Sequence, residues 1–216
     1  MTQDATRGLF ITFEGGEGAG KSTLARALGD LLLSQGQPVL YTREPGGTLL
    51  GEKVRELVLH AKDIGICPLA ELFLFLASRA QHIQDVITPA LNQKKIVLCD
   101  RFSDSSIAYQ GAGNGLGFSF VSDVCTLALA SVVPDLTFYV DIDPKLGLAR
   151  TDARRRNTEG RDRIERQSIE FHERVRTAFL RLSREFPDRI YVLDGTKSID
   201  ELVHEAYTRV LECNKG

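Results

Sequence analysis

Residues 13–23, which read FEGGEGAGKST, decide the fold of this chain. Within them, Gly15 to Ser22 match the pattern G-x-x-x-x-G-K-[ST], and they lie between an apolar run at residues 9–13 and a helical pattern at 21–34. Glycines let backbone N–H groups turn inward, a helix N-terminus adds its positive end, and a lysine adds a point charge. The stretch therefore predicts a phosphate-binding loop (P-loop) between a strand and a helix.

The P-loop residues are candidates for binding ATP and Mg²⁺. In such loops the lysine, here Lys21, contacts the β- and γ-phosphates, and the hydroxyl of Ser22 ligates the metal. Mg²⁺ also needs a carboxylate, for which Asp100 is the best candidate, although an ordinary strand-end cap or an ion pair with Arg101 would also explain this residue. The nucleotide-binding candidates are Gly15, Gly16, Glu17, Gly18, Ala19, Gly20, Lys21, Ser22 and Thr23.

Short apolar runs alternate with helical patterns along the rest of the chain. Runs rich in Val, Ile and Leu are typical of parallel strands buried on both faces, and their alternation with helices predicts a doubly wound α/β fold. In this fold, ligands bind at the carboxyl ends of the strands. The predicted strands are residues 9–13, 38–42, 95–99, 136–142 and 189–193, and the predicted helices are 21–34, 51–60, 69–91, 162–184 and 199–211.

Composition limits the class of protein. The chain has 216 residues, 43% of them hydrophobic, and a formal net charge of -2, which predicts one globular domain over residues 1–216 and no nucleic-acid or membrane partner. The four cysteines lie far apart and show no metal-binding or redox spacing. No signal peptide or apolar stretch long enough for a membrane span is present, so we expect a soluble cytoplasmic protein.

Phe75 and Arg79 stand four residues apart in the apolar helical pattern of residues 69–91, and hence on one face. A buried guanidinium needs a partner. A flat base stacked on Phe75 and hydrogen-bonded by Arg79 would supply one. Spacing alone leaves a second possibility equally open, in which Phe75 is a core residue and Arg79 pairs with Glu71 or another carboxylate.

Six segments, in order, resemble the thymidylate kinase family. They are FEGGEGAGKST (13–23), YTREPGGT (41–48), ELFLFLASRAQH (71–82), DRFSDSSIAYQG (100–111), PDLTFYVDIDPKLGLAR (134–150) and DRIE (162–165). The resemblance implies the P-loop nucleoside monophosphate kinase fold, with a five-stranded parallel sheet flanked by helices, and usually a homodimer. It also implies transfer of phosphate from ATP to dTMP with Mg²⁺, which gives dTDP.

The same resemblance implies roles for the acceptor-site residues. Phe75 becomes the platform for thymine, Arg79 reads a base carbonyl, and Tyr109 crowds the position of a ribose 2′-hydroxyl. Glu17, unexpected in a loop that binds anions, would accept a hydrogen bond from the 3′-hydroxyl of dTMP. The implied acceptor site comprises Glu17, Arg43, Phe75, Arg79, Arg101, Ser106, Tyr109 and Gln110, in which Arg101, with Arg43, would hold the acceptor phosphate.

An arginine-rich stretch, RTDARRRNTEGR, predicts a lid at about residues 150–162. An arginine that reaches the migrating phosphoryl group stabilises its charge. Because the P-loop carries no basic residue between Gly15 and Gly20, the chain resembles the branch of the family whose arginine lies in the lid. The candidates are Arg154, Arg156 and Arg161, without a ranking among them.

Other functions stay open at this point. The near alternative is another nucleoside monophosphate kinase or a deoxynucleoside kinase. A P-loop regulatory switch and an interaction module with a vestigial P-loop are the others, but they leave Phe75, Arg79 and Tyr109 without a role.

Overall fold

A computed structural model describes residues 7–60, 64–129, 131–154 and 162–213. Its centre is a sheet of five parallel strands in the order β2-β3-β1-β4-β5. The predicted α/β fold with a five-stranded parallel sheet is confirmed, and every strand lies within two residues of its predicted position. The strands are β1 (Phe10–Gly15), β2 (Val39–Arg43), β3 (Ile96–Asp100), β4 (Leu136–Asp141) and β5 (Ile190–Asp194).

The register of the sheet brings the polar strand ends together at one edge. Phe13 of β1 pairs with Asp100 of β3, and Arg43 of β2 pairs with the same Asp100. The P-loop leaves β1 immediately after this pairing, at Gly15. Arg43, Asp100 and the P-loop therefore lie side by side at the carboxyl edge, where a doubly wound sheet binds its ligands.

Helices cover both faces of the sheet. On one face, α1 (Lys21–Ser34) and α9 (Ile199–Cys213) contact each other and bury Leu28, Ala206 and Val210 against the strands. On the other face, α3 (Pro68–His82) and α8 (Ile169–Glu185) pack over Tyr139. The remaining helices are α2 (Leu49–Arg55), α4 (Thr88–Asn92), α5 (Ser103–Ser106), α6 (Phe118–Ala128) and α7 (Pro144–Arg154), with π-helical turns at Glu56–His60, Ile83–Ile87 and Ile107–Gly113.

The predicted helix at residues 162–184 begins later than expected, at Ile169. The carboxylate of Asp162 accepts hydrogen bonds from the amides of Ile164 (2.9 Å) and Glu165 (2.8 Å), which closes a local turn in place of a helical one. Ser168 then caps α8 by accepting a hydrogen bond from the amide of Phe171. The prediction was wrong for residues 162–168. There, the side chains of Asp162 and Ser168 accept hydrogen bonds from backbone amides, which favours a turn and a helix cap over a helix.

No helix within the described ranges has both the length and the apolar character that a bilayer crossing requires.

Candidate active site

The P-loop packs closely against α7. Gly18 has a left-handed backbone (φ 68°), and a Cβ on it would lie 1.9 Å from the carbonyl oxygen of Gly147. Lys21, the first residue of α1, is buried, and its Nζ donates to the carbonyl oxygen of Gly16 across the loop (2.7 Å). Burial, and then the neighbouring Arg101, lower the pKa of Lys21 to about 8. The ammonium group thus lies in the concave side of the loop, where it can contact a bound phosphate.

The two candidate Mg²⁺ ligands lie in contact. The Ser22 hydroxyl donates a hydrogen bond to Oδ2 of Asp100, although the two residues are far apart in sequence. A hydroxyl and a carboxylate side by side at the P-loop supply hard oxygen ligands, which Mg²⁺ prefers. Mg²⁺ commonly takes one or two protein ligands and completes its shell with substrate phosphates and water, so this pair fits the metal.

Glu17, although it belongs to the P-loop, directs its carboxylate toward the segment after β3. Its Oε1 accepts hydrogen bonds from Nη2 of Arg101 (2.6 Å) and from the hydroxyl of Tyr109 (2.9 Å). Burial alone would raise the pKa of Glu17, but Arg101, Lys21 and the Tyr109 hydroxyl outweigh burial and lower it to about 2. Glu17 is therefore a carboxylate at neutral pH, available to accept hydrogen bonds.

Arg101 takes up an unusual backbone conformation that directs its side chain to the P-loop. Its φ is 69°, a left-handed value that costs a non-glycine residue about 1 kcal/mol. The buried carboxyl group of Glu14 secures this turn by accepting hydrogen bonds from the amide of Phe102 (2.8 Å) and the hydroxyl of Ser105 (2.5 Å). The guanidinium then donates to the carbonyl oxygen of Gly15 (3.0 Å) as well as to Glu17.

One cavity of about 640 Å³ opens beside the P-loop at the carboxyl edge of the sheet. Lys21, Ser22 and Asp100 border it, so it adjoins the phosphate and metal candidates. The structure brings all the predicted acceptor-site residues together in its lining, from segments far apart in sequence. They are Glu17, Arg43, Phe75, Arg79, Arg101, Ser106, Tyr109 and Gln110.

Phe75 and Arg79 both line this cavity from α3. Phe75 is buried in a small apolar cluster with Val54, Val58 and Leu59, and Ile164 packs at the edge of that cluster. Arg79 already has a protein partner, because its Nε donates to Oε2 of Glu44 at 2.7 Å. Of the carboxylates considered, the partner of Arg79 is therefore Glu44 and not Glu71. The paired guanidinium still lines the cavity.

Glu71 instead forms a hydrogen bond with the neighbouring π-helical turn, Ile107–Gly113. Its Oε1 accepts a hydrogen bond from Nε2 of Gln110 (2.7 Å), and its Oε2 pairs with Arg163. The ring of Tyr109, from the same turn, packs edge-on against Phe171 and Phe179. Residues Ile107–Gly113 are therefore held rigidly, which fixes the side chains that they present to the cavity.

Several arginines converge on the cavity near the strand ends. Arg43 is half exposed and pairs with Glu52 (3.0 Å). Arg55 donates to the carbonyl oxygen of Pro45 (3.1 Å), and burial, followed by the nearby Arg43, lowers the pKa of its guanidinium. With Arg101, these side chains form a positively charged wall that suits an anion.

Sequence reasoning gave no role in the site to several residues of this cavity's lining, among them Glu44 and Arg55. Glu44 directly follows Arg43, and the need of buried Arg79 for a carboxylate was a usable signal for it. That signal does not tell which of the chain's many acidic residues is the partner. Arg55 lies among ordinary surface charges of α2, and we find no sequence signal that separates it from them.

Of the lid candidates, Arg154 lies within the described residues, at the end of α7. It borders a second cavity of about 160 Å³ together with Glu17, Lys21, Ser22 and Thr23. Glu17, Lys21 and Ser22 line both this cavity and the larger one, so the two cavities adjoin at the P-loop. Arg156 and Arg161 fall outside the described residues.

Comparisons with known proteins agree on one family. The thymidylate kinase family model matches residues 13–206. A thymidylate kinase from Protochlamydia amoebophila is 51% identical over 210 residues, which cover 95% of this chain and 93% of that protein. A thymidylate kinase from Chlamydia pneumoniae is 45% identical, with 90% and 94% covered. The crystal structure of thymidylate kinase from Ehrlichia chaffeensis superposes with a TM-score of 0.75 at 38% identity, with 95% of this chain and 98% of that chain covered. On this match in sequence and in structure, the chain belongs to the thymidylate kinase family.

Proposed function

We propose that the chain phosphorylates dTMP to dTDP with ATP as the donor, and that the transfer takes place at the P-loop beside the 640 Å³ cavity. One observation carries the proposal: the two cavities share three lining residues, which are Glu17, Lys21 and Ser22. A donor phosphate on the loop and an acceptor in the larger cavity would therefore meet at the same few side chains. Such proximity is the main requirement for phosphoryl transfer.

In this proposal, dTMP lies with its base on Phe75 and its phosphate toward the arginines. The base contacts Arg79, and Ser106 and Gln110 line the same part of the cavity. Arg101, with Arg43 and Arg55, holds the acceptor phosphate, because a guanidinium pairs with a phosphate through two parallel hydrogen bonds. Tyr109 also lines this cavity, and in the proposal its ring would crowd the position of a 2′-hydroxyl and so disfavour ribonucleotide acceptors.

The attacking group needs no side-chain base. The phosphate oxygen of dTMP is already anionic, so the protein's task is to position it and to stabilise the charge that spreads over the transferred group. Lys21 would supply one positive charge. The lid at about residues 150–162 would supply another through Arg154, Arg156 or Arg161, of which Arg154 borders the smaller cavity at the loop.

Mg²⁺ is part of the proposed reaction, with Ser22 and Asp100 as its protein ligands. When bound, the ion would neutralise charge on the β- and γ-phosphates of ATP. The hydrogen bond between Ser22 and Asp100 supports this role, since it keeps both oxygens at the same place beside the P-loop. Asp100 also pairs in register with Arg43, which ties the metal ligand to the acceptor side of the sheet.

We also propose a homodimer in the cytoplasm. The outward faces of α3 and α6, which pack against each other, carry exposed apolar side chains at Leu69, Phe73, Phe120 and Leu127. Several large exposed apolar side chains on two neighbouring helices are typical of a protein interface. The described cysteines are all free thiols, which fits a reducing compartment.

The acceptor preference tests the function directly. With ATP and Mg²⁺, we expect dTMP-dependent ADP formation, and turnover of dTMP well above that of dUMP, dCMP, dGMP and thymidine in a coupled assay. Chelation of Mg²⁺ with EDTA should abolish it. Equal turnover of several monophosphates would favour a nucleoside monophosphate kinase of broad specificity. Hydrolysis of ATP without any acceptor would favour a P-loop regulatory switch.

The pKa of Lys21 predicts a pH dependence. Because the ammonium loses its proton as pH rises through about 8, kcat/KM for ATP should fall over that range. Lys21→Arg keeps its positive charge above that pH. The fall of its kcat/KM at alkaline pH should therefore begin at a higher pH than in wild type, although its rate is lower. Lys21→Ala should lose on the order of 10²–10³-fold in turnover.

Exposed Lys145 provides the control for these variants, and Lys145→Ala should retain the wild-type profile. Circular dichroism would verify that each variant is folded. An alkaline limb at the same pH in wild type and Lys21→Arg would exclude Lys21 as its source.

The ring of Tyr109 predicts discrimination against ribonucleotides. Tyr109→Ala should raise the relative kcat/KM for ribothymidine monophosphate over dTMP by roughly 10- to 100-fold, the range for filling or opening a small pocket. Tyr109→Phe keeps the ring, so it should retain the wild-type preference while it loses the hydrogen bond to Glu17. If Tyr109→Ala discriminates as strongly as Tyr109→Phe, the steric explanation is wrong.

The homodimer predicts a mass of twice the 23.9 kDa chain in sedimentation equilibrium. Phe73→Glu, which places a charge on the exposed face of α3, should shift the protein to monomers. Phe186→Glu, at an exposed apolar residue near β5, should leave the dimer intact. A monomeric wild type at micromolar concentration would contradict the proposal.

A further inference from the structure

The YTREPGGT segment contributes Arg43 to the proposed acceptor site, but that role leaves Thr42, Glu44 and Gly47 unexplained. All of them contact the end of α3, where Arg79 and His82 lie one turn apart on the same face. The segment at the end of β2 and the end of α3 therefore form one buried polar cluster beside the cavity.

The cluster is a continuous chain of hydrogen bonds. The Thr42 hydroxyl contacts Nε2 of His82 (2.6 Å), Nδ1 of His82 contacts Oε1 of Glu44 (3.0 Å), and Oε2 of Glu44 accepts from Nε of Arg79 (2.7 Å). None of these side chains is more than 9% exposed, and His82 is fully buried. Because a carboxylate only accepts hydrogen bonds, Nδ1 of His82 is the donor to Glu44, and Nε2 is the ring nitrogen that meets the Thr42 hydroxyl.

Gly47 fixes the imidazole ring from the side. It has a left-handed backbone (φ 76°), and a Cβ on it would lie 2.6 Å from Nε2 of His82 and 2.8 Å from Oγ1 of Thr42. The ring thus has backbone against its edge and a hydrogen bond at each nitrogen. It holds one orientation, and with it the orientation of the Glu44 carboxylate.

The far side of Arg79 is held equally firmly. Its Nη2 donates to the carbonyl oxygen of Phe102 (3.1 Å) and the hydroxyl of Ser106 (3.0 Å), and its Cζ lies 5.2 Å from the centre of the Phe102 ring. Glu44 is the contact at the Nε end of the guanidinium. Loss of that contact would remove a charged partner and leave the guanidinium held through Nη2 and through a weak contact of Nη1 with Sγ of Cys125 (3.8 Å), so that its plane could tilt.

We propose that Glu44 and His82 are positioning residues that fix the plane of the Arg79 guanidinium and thereby set the selectivity for the pyrimidine base. The inference rests on the proposed role of Arg79 in reading a base carbonyl. A guanidinium held in one plane donates to the 4-carbonyl of thymine but finds a 4-amino group, itself a donor, on cytosine. A guanidinium that can tilt makes a poorer contact with thymine and rejects cytosine less strictly.

A matched pair of substitutions at His82 tests this inference. The amide nitrogen of His82→Asn can take the place of Nδ1 and keep the hydrogen bond to Glu44, whereas that of His82→Gln reaches toward the Nε2 position and leaves Glu44 without it. We expect His82→Gln to raise KM for dTMP and to lower the dTMP/dCMP ratio of kcat/KM, each roughly 3- to 10-fold. His82→Asn should stay near wild type, and KM for ATP should be unchanged in both.

Control measurements separate positioning from stability. Gln81→Ala, next to His82 but hydrogen-bonded only to Asp85 among the described residues, should match wild type. Thermal unfolding of both His82 variants would report any loss of stability. If His82→Gln and His82→Asn lose stability but keep the wild-type KM and base ratio, the cluster is purely structural and the inference is overturned.

A double-mutant cycle tests whether Glu44 acts through Arg79. Glu44→Gln and Arg79→Lys should each weaken base selectivity, and together they should weaken it hardly more than Arg79→Lys alone. Fully additive effects would overturn the inference while leaving the proposed function intact. A wild-type enzyme that turns over dCMP as well as dTMP would instead remove the base-reading role, and the inference with it.

Discussion

The hydrogen bonds that Glu17 accepts from Arg101 and Tyr109 connect the two halves of the candidate active site. Glu17 belongs to the P-loop, whereas Arg101 and Tyr109 follow β3 and line the larger cavity. Since β1 and β3 are neighbouring strands, these contacts keep the loop and the cavity at a fixed separation. In-line transfer depends on the distance between two phosphates, and a displacement of about 1 Å can cost about 10²-fold in rate. In the proposed function, the other residues of the site therefore depend on this connection.

Buried charge recurs throughout the site, and stability is a poor explanation for it. Replacing a buried ion pair with apolar residues is often neutral or stabilising, so Arg79 with Glu44 is better understood as a device for orientation. Glu14 is a buried acidic residue for which the balance differs. Burial, and then the nearby Asp104, raise its pKa to about 8, so the group is largely protonated at neutral pH, and its oxygens hold the turn that directs Arg101 to the P-loop. In both cases a polar group is buried at a cost in desolvation, and its hydrogen bonds fix the direction of an arginine side chain.

Much of the fold and site followed from local patterns. The P-loop was predictable because its glycines, lysine and serine act within a few residues of one another, and the five strands because their apolar runs are short and uninterrupted. The start of α8 was not predictable from apolar spacing, since the Asp162 turn and the Ser168 cap compete with the helix through side-chain hydrogen bonds. Phe75 and Arg79 were expected on one face, but the choice between a ligand partner and a protein partner was left open.

The amino-acid sequence by itself determined the phosphate-binding loop, the strand and helix alternation, and the family, because each depends on residue types at short, fixed spacing. Only the tertiary structure decided which charges meet: that Arg79 pairs with Glu44, that Glu71 serves Gln110 and Arg163, and that Arg55 joins the cavity wall. The physical reason is that Coulombic and hydrogen-bond partners are chosen by distance in space. That distance is set by strand register and helix packing, which bring together residues that lie tens of positions apart along the chain.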